Sequence, residues 1–167
     1  MFGSSGARNV PMRWLMGDAA EQLSQMLALL AVPAEDSGIT LVLEPLNRGE
    51  SNILTSIAEG VRLCKDLDED NIQMLADYYH MALSGEGPMD LIIATARLQH
   101  VHIARPLGRA LPLPGDNEDY WAFFSMLKRT GYDGDISIEA YAPEEDRAEA
   151  IRRSLAFLRA VENTGKA

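Results

Sequence analysis

The sequence predicts an α/β fold in which four strand–helix units form a parallel sheet. Short apolar runs alternate with longer segments of helical periodicity along the 167 residues. Strands separated by helices favour parallel pairing, because a parallel neighbour is reached through a crossover of about a dozen residues or more. All four predicted strands also lead into a side chain that can bind a metal ion, which indicates a site at one edge of the sheet.

Helical periodicity predicts five helical segments, over residues 18–30, 56–67, 89–97, 118–128 and 143–161. Two pairs of residues have the spacing of a capping pair at a helix start: Asp18 with Glu21, and Ser56 with Glu59. Pro33 and Gly38 are predicted to end the first helix. The last segment begins with Pro143 and three acidic residues, as helix N-termini prefer.

The predicted strands are short runs bounded by turn residues, and they cover residues 39–43, 72–76, 100–103 and 135–138. The second strand has the weakest signal, because Gln73 and Met74 lower its β-propensity. Neither a flexible linker nor a low-complexity segment interrupts the pattern. The length suits one domain, so we expect residues 1–167 to form a single domain with one core.

The composition is that of an ordinary globular protein, with 47% apolar and 24% charged residues. A formal net charge of -10 argues against nucleic acid as the main partner, because nucleic-acid binders carry basic patches and this sequence shows none. We therefore expect a small-molecule partner.

The sequence also favours the cytoplasm. Its one cysteine, Cys64, cannot form an intramolecular disulfide and lies in a helical pattern typical of a small core residue. The first residues lack the basic start and apolar stretch of a signal peptide. No apolar run approaches the roughly 20 residues of a membrane span. A cytoplasmic protein without a membrane partner is the resulting expectation.

Glu44, Asp77, His102 and Glu139 stand at the ends of the four predicted strands. Taken singly, each has an ordinary structural explanation, such as a turn acid, a helix cap or a buried histidine. Matching positions on four parallel strands favour a metal site instead, because the carboxyl ends of such strands form one rim. Three carboxylates and one imidazole suit Mn²⁺, Mg²⁺ or Co²⁺, with Zn²⁺ as a further candidate, whereas a thiolate-rich zinc site is excluded.

Around these residues the sequence resembles the sugar phosphate isomerase/epimerase group of the xylose isomerase-like TIM barrels. Residues 43–48 (LEPLNR) are similar to the strand-5 signature, and 75–81 (LADYYHM) to a strand-6 pattern written L-D-T-F-H-M. Residues 100–103 (HVHI) resemble strand 7, and 131–139, from the Gly-Tyr-Asp-Gly turn to Glu139, resemble strand 8. Residues 2–8 (FGSSGAR) resemble the loop after strand 4. The resemblance implies a parallel (β/α) half-barrel corresponding to strands 5–8.

The family resemblance also implies roles for individual residues. Glu44, Asp77, His102 and Glu139 would bind the divalent metal, while Glu44 and Glu139 would also move protons on opposite faces of the substrate. Three further residues would contact substrate oxygens: Glu50, His80 and one arginine, either Arg105 or Arg109, between which the local spacing does not decide. The implied reaction is isomerisation or epimerisation of a small sugar or hydroxy-ketone, in which a metal stabilises an enediolate oxygen and a carboxylate takes the neighbouring proton.

Two other functions stay open at this point. A non-catalytic half-barrel would bind a ligand or only assemble, and metal-dependent phosphodiester cleavage would follow the endonuclease branch of the superfamily. The acidic charge and the single metal cluster count against the second alternative.

The length departs from the family, since a complete (β/α)₈ barrel has about 250 residues. Four strands would leave inner faces and edges uncovered, which drives association. Either a second copy closes the half-barrel, as we expect, or the chain is a fragment of a longer product. A homodimer is the prediction.

Overall fold

The computed structural model describes residues 8–143 and 145–164 and has a four-stranded parallel sheet at its centre. The strands are β1 (Leu41–Leu43), β2 (Ile72–Asp77), β3 (Leu98–Ile103) and β4 (Ile136–Ile138), and they lie side by side in chain order. Each neighbouring pair is parallel. The predicted α/β class and parallel sheet are therefore confirmed. Most of the predicted loop at residues 2–8 lies outside the described residues.

Helices connect the strands and cover one face of the sheet. They are α1 (Met16–Asp36), α2 (Ile57–Leu67), α3 (Tyr78–Leu83), α4 (Tyr120–Arg129) and α5 (Arg147–Thr164), with two short 3₁₀ helices at Pro88–Ala94 and Leu107–Arg109. None of the helices described here combines the length and the apolar character that a membrane span requires.

The first helix is longer than predicted at both ends. α1 begins at Met16 without a side-chain cap, so the expected capping role of Asp18 is wrong and its carboxylate lies in the first turn instead. Pro33 does not end the helix, which continues to Asp36 and closes only where Gly38 adopts a φ of +66°. Ala31 and Ala34 are buried on either side of the proline, and this packing outweighs the one hydrogen bond that proline removes.

The second predicted helix start is confirmed. Ser56 accepts a hydrogen bond from the backbone N–H of Glu59 at 3.2 Å, and the Glu59 carboxylate accepts one from the N–H of Thr55 at 2.6 Å. These bonds satisfy amide groups that have no partner inside the helix. α2 therefore begins where the sequence indicated.

The region between β2 and β3 differs from prediction. α3 follows β2 without a loop, with Asp77 as its N-cap, and the segment expected as a helix over 89–97 is a 3₁₀ helix that ends at Ala94. Leu98 already belongs to β3, where it pairs with Met74. The three residues after Ala94 lead into β3, and the last of them, Arg97, already accepts the N–H of Met74 through its carbonyl at 2.7 Å.

The hydrophobic core lies between the sheet and its helices. Ile72, Met74, Ala76, Val101 and Ile103 are almost completely buried on this face. Alternate residues point to the opposite, inner face. That face carries Val42, Leu75, His100 and Ser137, and it leads towards the carboxyl ends of the strands, where the polar residues gather.

Candidate metal centre

Four side chains converge at the carboxyl ends of the strands: Glu44, Asp77, His102 and Glu139. One ligand atom from each lies within 4.8 Å of every other, and Asp77 is buried while the other three are partly buried. All four belong to the inner face by the alternation of the strands. Asp77 and His102 are direct register partners on β2 and β3. Glu44 and Glu139 follow β1 and β4, so they approach from the two outer strands.

His102 lies between the two outer carboxylates. Its Nδ1 atom is 3.3 Å from Oε1 of Glu44 and 3.0 Å from Oε2 of Glu139. Burial tends to lower the pKa of His102, but the hydrogen bond to Glu44 and the charge of Glu139 raise it above its ordinary value. Burial tends to raise the pKa of Glu44, yet the hydrogen bond and charge of His102 lower it overall. The two groups thus favour each other's charged forms.

Asp77 is both a helix cap and a member of the cluster. Its Oδ1 atom accepts the backbone N–H of Tyr79 at 2.9 Å, and its Oδ2 atom lies 3.4 Å from Arg109. Burial, together with the charge of Glu44, raises the pKa of Asp77 to about 7. A nearby cation favours the charged form of a buried carboxylate that lies beside another carboxylate, and three carboxylates with one imidazole fit a hard or borderline divalent ion.

Glu50 lies beside the cluster and is held by two neighbours. Its Oε1 atom accepts hydrogen bonds from Nδ2 of Asn47 at 2.9 Å and from the hydroxyl of Tyr79 at 3.2 Å. The sequence pattern indicated Glu50 but not Asn47 or Tyr79 as parts of the site. Both stand in the segments that resemble family signatures, Asn47 three residues before Glu50 and Tyr79 directly before His80, and their polar side chains are the signal that could have identified them.

His80 is buried and has a defined tautomer. Its Nδ1 atom faces the backbone N–H of Asn47 at 3.0 Å, and since an amide N–H can only donate, Nδ1 is the acceptor. Burial lowers the pKa of His80, which favours the neutral ring with its proton on Nε2. Nε2 is buried without a hydrogen-bond partner among the described residues and lies 3.7 Å from Oδ2 of Asp77. This donor is therefore available to a ligand at the cluster.

The two candidate arginines have different surroundings. Nη2 of Arg109 lies 2.6 Å from Oε2 of Glu139, and its guanidinium group stacks over the Tyr79 ring with 4.8 Å to the centroid. Nη1 of Arg105 instead pairs with Asp116 at 3.2 Å. The structure thus brings Arg109, and not Arg105, to the carboxylate cluster.

A large cleft connects the cluster with the open edge of the sheet. It has a volume of about 1290 Å³ and reaches from Glu44, His80 and Arg109 along the inner side of β1 to one face of α1. Four consecutive residues, 40–43, line it together with apolar residues of α1 such as Leu23. Successive strand residues point to opposite faces, so their shared contact with the cleft means that the backbone edge of β1 borders it.

Comparison with known proteins agrees with this geometry. A family model described as xylose isomerase-like TIM barrel matches residues 3–161. The 3-dehydro-D-guloside 4-epimerase of Escherichia coli (strain K12) is 32% identical over 149 residues, which are 88% of this chain and 55% of the relative. The L-ribulose 3-epimerase of Mesorhizobium japonicum is 36% identical over 120 residues, 71% of this chain and 39% of the relative.

The fold is shared with solved structures as well. The crystal structure of the apo 3-keto-D-glucoside 4-epimerase from E. coli matches with a TM-score of 0.85 at 29% identity, over 94% of this chain and 61% of that chain. The chain spans about half the length of the curated relatives it matches. Its four strand–helix units agree with the predicted parallel half-barrel. By the family model and the sequence identity, the chain belongs to the xylose isomerase-like TIM barrel family.

Proposed function

We propose that the protein is a divalent-metal-dependent isomerase or epimerase of a small sugar or hydroxy-ketone. The observation that carries this proposal is the convergence of Glu44, Asp77, His102 and Glu139 within 4.8 Å at the carboxyl ends of a parallel sheet. The relatives named above are sugar epimerases, which supports the same class of chemistry. The chain covers about half the length of those relatives and includes all four of the converging residues.

The four converging residues would hold the metal, with Mn²⁺, Mg²⁺ and Co²⁺ as the first candidates and Zn²⁺ as a further one. When bound, such a cation supplies the positive charge that polarises the substrate carbonyl and stabilises the negative charge that develops on its oxygen. His102 contributes the nitrogen donor, and Asp77, with its side chain fully buried, contributes the least exposed carboxylate.

Glu44 and Glu139 are proposed to move the proton beside the carbonyl. They stand after the two outer strands of the sheet and flank His102, so one carboxylate faces each side of the centre. This arrangement suits removal of a proton from one face of a carbon and delivery to the other, which inverts its configuration. Within hydrogen-bond reach of a bound substrate, each carboxylate can act as a base or, once protonated, as an acid.

Substrate oxygens are assigned to Glu50, His80 and Arg109. Nε2 of His80 offers a buried donor, while Glu50 and Arg109 border the same cleft. Arg105 is not assigned a substrate contact because its guanidinium group is paired with Asp116.

The proposed activity is tested by a ketose screen on the chelator-treated protein with and without Mn²⁺, Mg²⁺ or Co²⁺. Relatives act on L-ribulose and on a 3-dehydro-D-guloside by name, so ketopentoses, ketohexoses and keto-glucosides form the first panel. Metal-dependent interconversion of a ketose pair, abolished by the chelator, is expected. Ligand-induced thermal stabilisation without turnover would identify a non-catalytic binding half-barrel instead.

We also propose that a second copy covers the open side of the half-barrel. In the described residues β1 and β4 each pair on one side only, so the sheet has two free parallel edges. Edges of this kind complement each other, because β4 of one copy can pair with β1 of another about a twofold axis. Apolar residues beside the β1 edge, including Val42 at 36% and Ile39 at 54% exposure, would be buried by such contact.

Light scattering coupled to gel filtration tests this assembly. The wild-type chain is expected to be a dimer at micromolar concentration, and Val42→Glu, which puts a charge on the inner side of β1, is expected to shift it towards the monomer. Leu29→Glu is the matched control, because Leu29 is 77% exposed on α1 and does not line the cleft. A monomeric wild type would refute the proposal.

We propose a cytoplasmic location as well, because Cys64 is a free and buried cysteine.

A further inference from the structure

Arg109 lies between two groups of carboxylates. Its Nη2 atom is 2.6 Å from Oε2 of Glu139 and 3.4 Å from Oδ2 of Asp77, which are both candidate metal ligands. Its Nη1 atom is 4.0 Å from Oε2 of Glu50, which is not one of the four. One guanidinium group thus lies between two candidate metal ligands and Glu50, which is proposed to contact substrate.

We propose that Arg109 is a built-in competitor of the metal ion, and that metal binding transfers its guanidinium group from Glu139 and Asp77 to Glu50. The side chain would then couple occupation of the metal site to the arrangement of the substrate-binding groups. This inference deepens the proposed function and rests on its metal site.

Competition follows from charge and from lone pairs. A carboxylate oxygen that accepts a charge-assisted hydrogen bond at 2.6 Å cannot offer the same lone pair to a cation. A guanidinium group stays protonated at any pH at which the protein is folded, and the charges of Glu139 and Asp77 raise the pKa of Arg109 further against the effect of burial. The positive charge therefore cannot be neutralised, and a divalent cation in the cluster must repel it.

The acceptor for the displaced group is already arranged. Asn47 and Tyr79 both donate to Oε1 of Glu50, which leaves its Oε2 atom towards Arg109. The Tyr79 ring lies under the guanidinium group and provides a cation–π surface for it. A small rotation of the side chain would therefore bring it into a direct ion pair with Glu50.

The main chain of Arg109 is anchored while its side chain is long enough to move. The Arg109 carbonyl accepts the N–H of Tyr141 at 2.7 Å, and the neighbouring Ala110 carbonyl accepts the N–H of Arg105 at 2.8 Å. The guanidinium group can therefore leave the cluster while the backbone stays in place, and Arg109 remains a candidate for substrate contact.

The test is the Mn²⁺ dissociation constant of the chelator-treated full chain, measured by calorimetry without substrate. Arg109→Met keeps the length of the side chain and removes its charge, and it is expected to bind Mn²⁺ at least tenfold more tightly. Arg152→Met, which removes an exposed arginine that pairs with Glu149 on α5, is the control and should leave the affinity unchanged. Glu50→Gln should weaken Mn²⁺ binding severalfold in the wild-type background but have no effect in the Arg109→Met background.

The outcomes separate this inference from the proposed function. If the wild-type chain binds no Mn²⁺, the proposed metal site itself fails. If it binds Mn²⁺ and Arg109→Met binds equally or more weakly, the metal site stands and the competition is refuted. Should Arg109→Met fail to fold, as judged by circular dichroism, Glu50→Gln alone decides: unchanged Mn²⁺ affinity in that variant would overturn the inference.

Discussion

The backbone N–H of Asn47 donates to Nδ1 of His80 across 3.0 Å, and this bond holds the imidazole of α3 against the loop that follows β1. The backbone N–H of Asn47 can only donate, so Nδ1 of His80 is the acceptor. The proton of the neutral ring is therefore on Nε2, beside the carboxylate cluster. The loop after one strand thus sets the hydrogen-bonding role of a side chain after the next strand.

This bond predicts different results for two substitutions of His80. His80→Asn retains an acceptor near the position of Nδ1 but loses the donor at Nε2, whereas His80→Gln can place an amide N–H near Nε2. If Nε2 contacts substrate, the KM of His80→Asn should rise by about tenfold or more. This increase corresponds to the binding free energy lost with one buried hydrogen bond between neutral groups. His80→Gln should keep more of the activity. Equal losses in the two variants would instead indicate a packing role.

The proposed acid–base pair predicts a large loss of turnover for isosteric amides. Glu139→Gln and Glu44→Gln each remove a group that can transfer a proton, so kcat should fall by about 10²–10⁴-fold. Glu149→Gln, an exposed change on α5, provides the control for loss of a carboxylate. Ligand-induced stabilisation measured by thermal shift should persist in Glu139→Gln. Full activity in either amide variant would remove that residue from the proposed chemistry.

The buried carboxyl group of Asp77 predicts a pH dependence of stability for the metal-free protein. Its pKa is about 7 in the folded chain against 3.8 for an unperturbed carboxyl group, so the folded state binds more protons between these values. The free energy of unfolding should therefore fall as the pH rises from about 4 to about 7. The decrease is up to about 4 kcal/mol, because each unit of difference in pKa corresponds to about 1.36 kcal/mol.

Urea unfolding in the presence of a chelator at pH 5 and pH 8 measures this effect. Asp77→Asn keeps an oxygen to accept the N–H of Tyr79 and removes the titrating group, so its loss of stability across that range should be smaller than that of the wild type. Parallel curves for the two proteins would show that Asp77 does not titrate in this window.

Gly60 predicts a stability difference between two glycine-to-alanine changes. A Cβ atom at Gly60 in α2 would lie 2.5 Å from Cε of Met74, which is fully buried in β2, and 3.3 Å from Cγ of Pro45. Overpacking of this kind lowers the free energy of unfolding by about 1–3 kcal/mol, which exceeds the gain of up to about 1 kcal/mol from helix propensity. Gly60→Ala should therefore be less stable than the wild type.

Gly17→Ala is the matched control on α1. Its added methyl group would meet no other group within 4 Å among the described residues, so only the helix propensity changes and the variant should be slightly more stable. Chemical unfolding of both variants checks the pair. A Gly60→Ala protein as stable as the wild type would mean that Met74 repacks at no cost.

The sheet and the candidate ligands were predictable because they depend on local patterns. A strand of alternating faces that ends at a polar residue places that residue on the rim, and the parallel order follows from the helices between the strands. Glu44, Asp77, His102 and Glu139 were therefore identified without tertiary information. Their mutual distances, all within 4.8 Å, needed the sheet itself.

Helix ends were less predictable because packing outweighs local preference. Pro33 is a strong signal for the end of a helix, yet α1 passes through it where Ala31 and Ala34 are buried. The segment before β3 has helical periodicity but forms a 3₁₀ helix that ends at Ala94, and contacts with β2 begin at Arg97 and Leu98.

The order of strands and helices and the four residues that end the strands could be predicted from the sequence, because these depend on periodicity and on position within an element. The choice between the two arginines instead required the folded structure. The Arg105 guanidinium group is held by Asp116 and that of Arg109 by Glu139, so the direction of each side chain depends on residues 11 and 30 positions away. Local spacing carries no record of such contacts, whereas the fold brings the partners together.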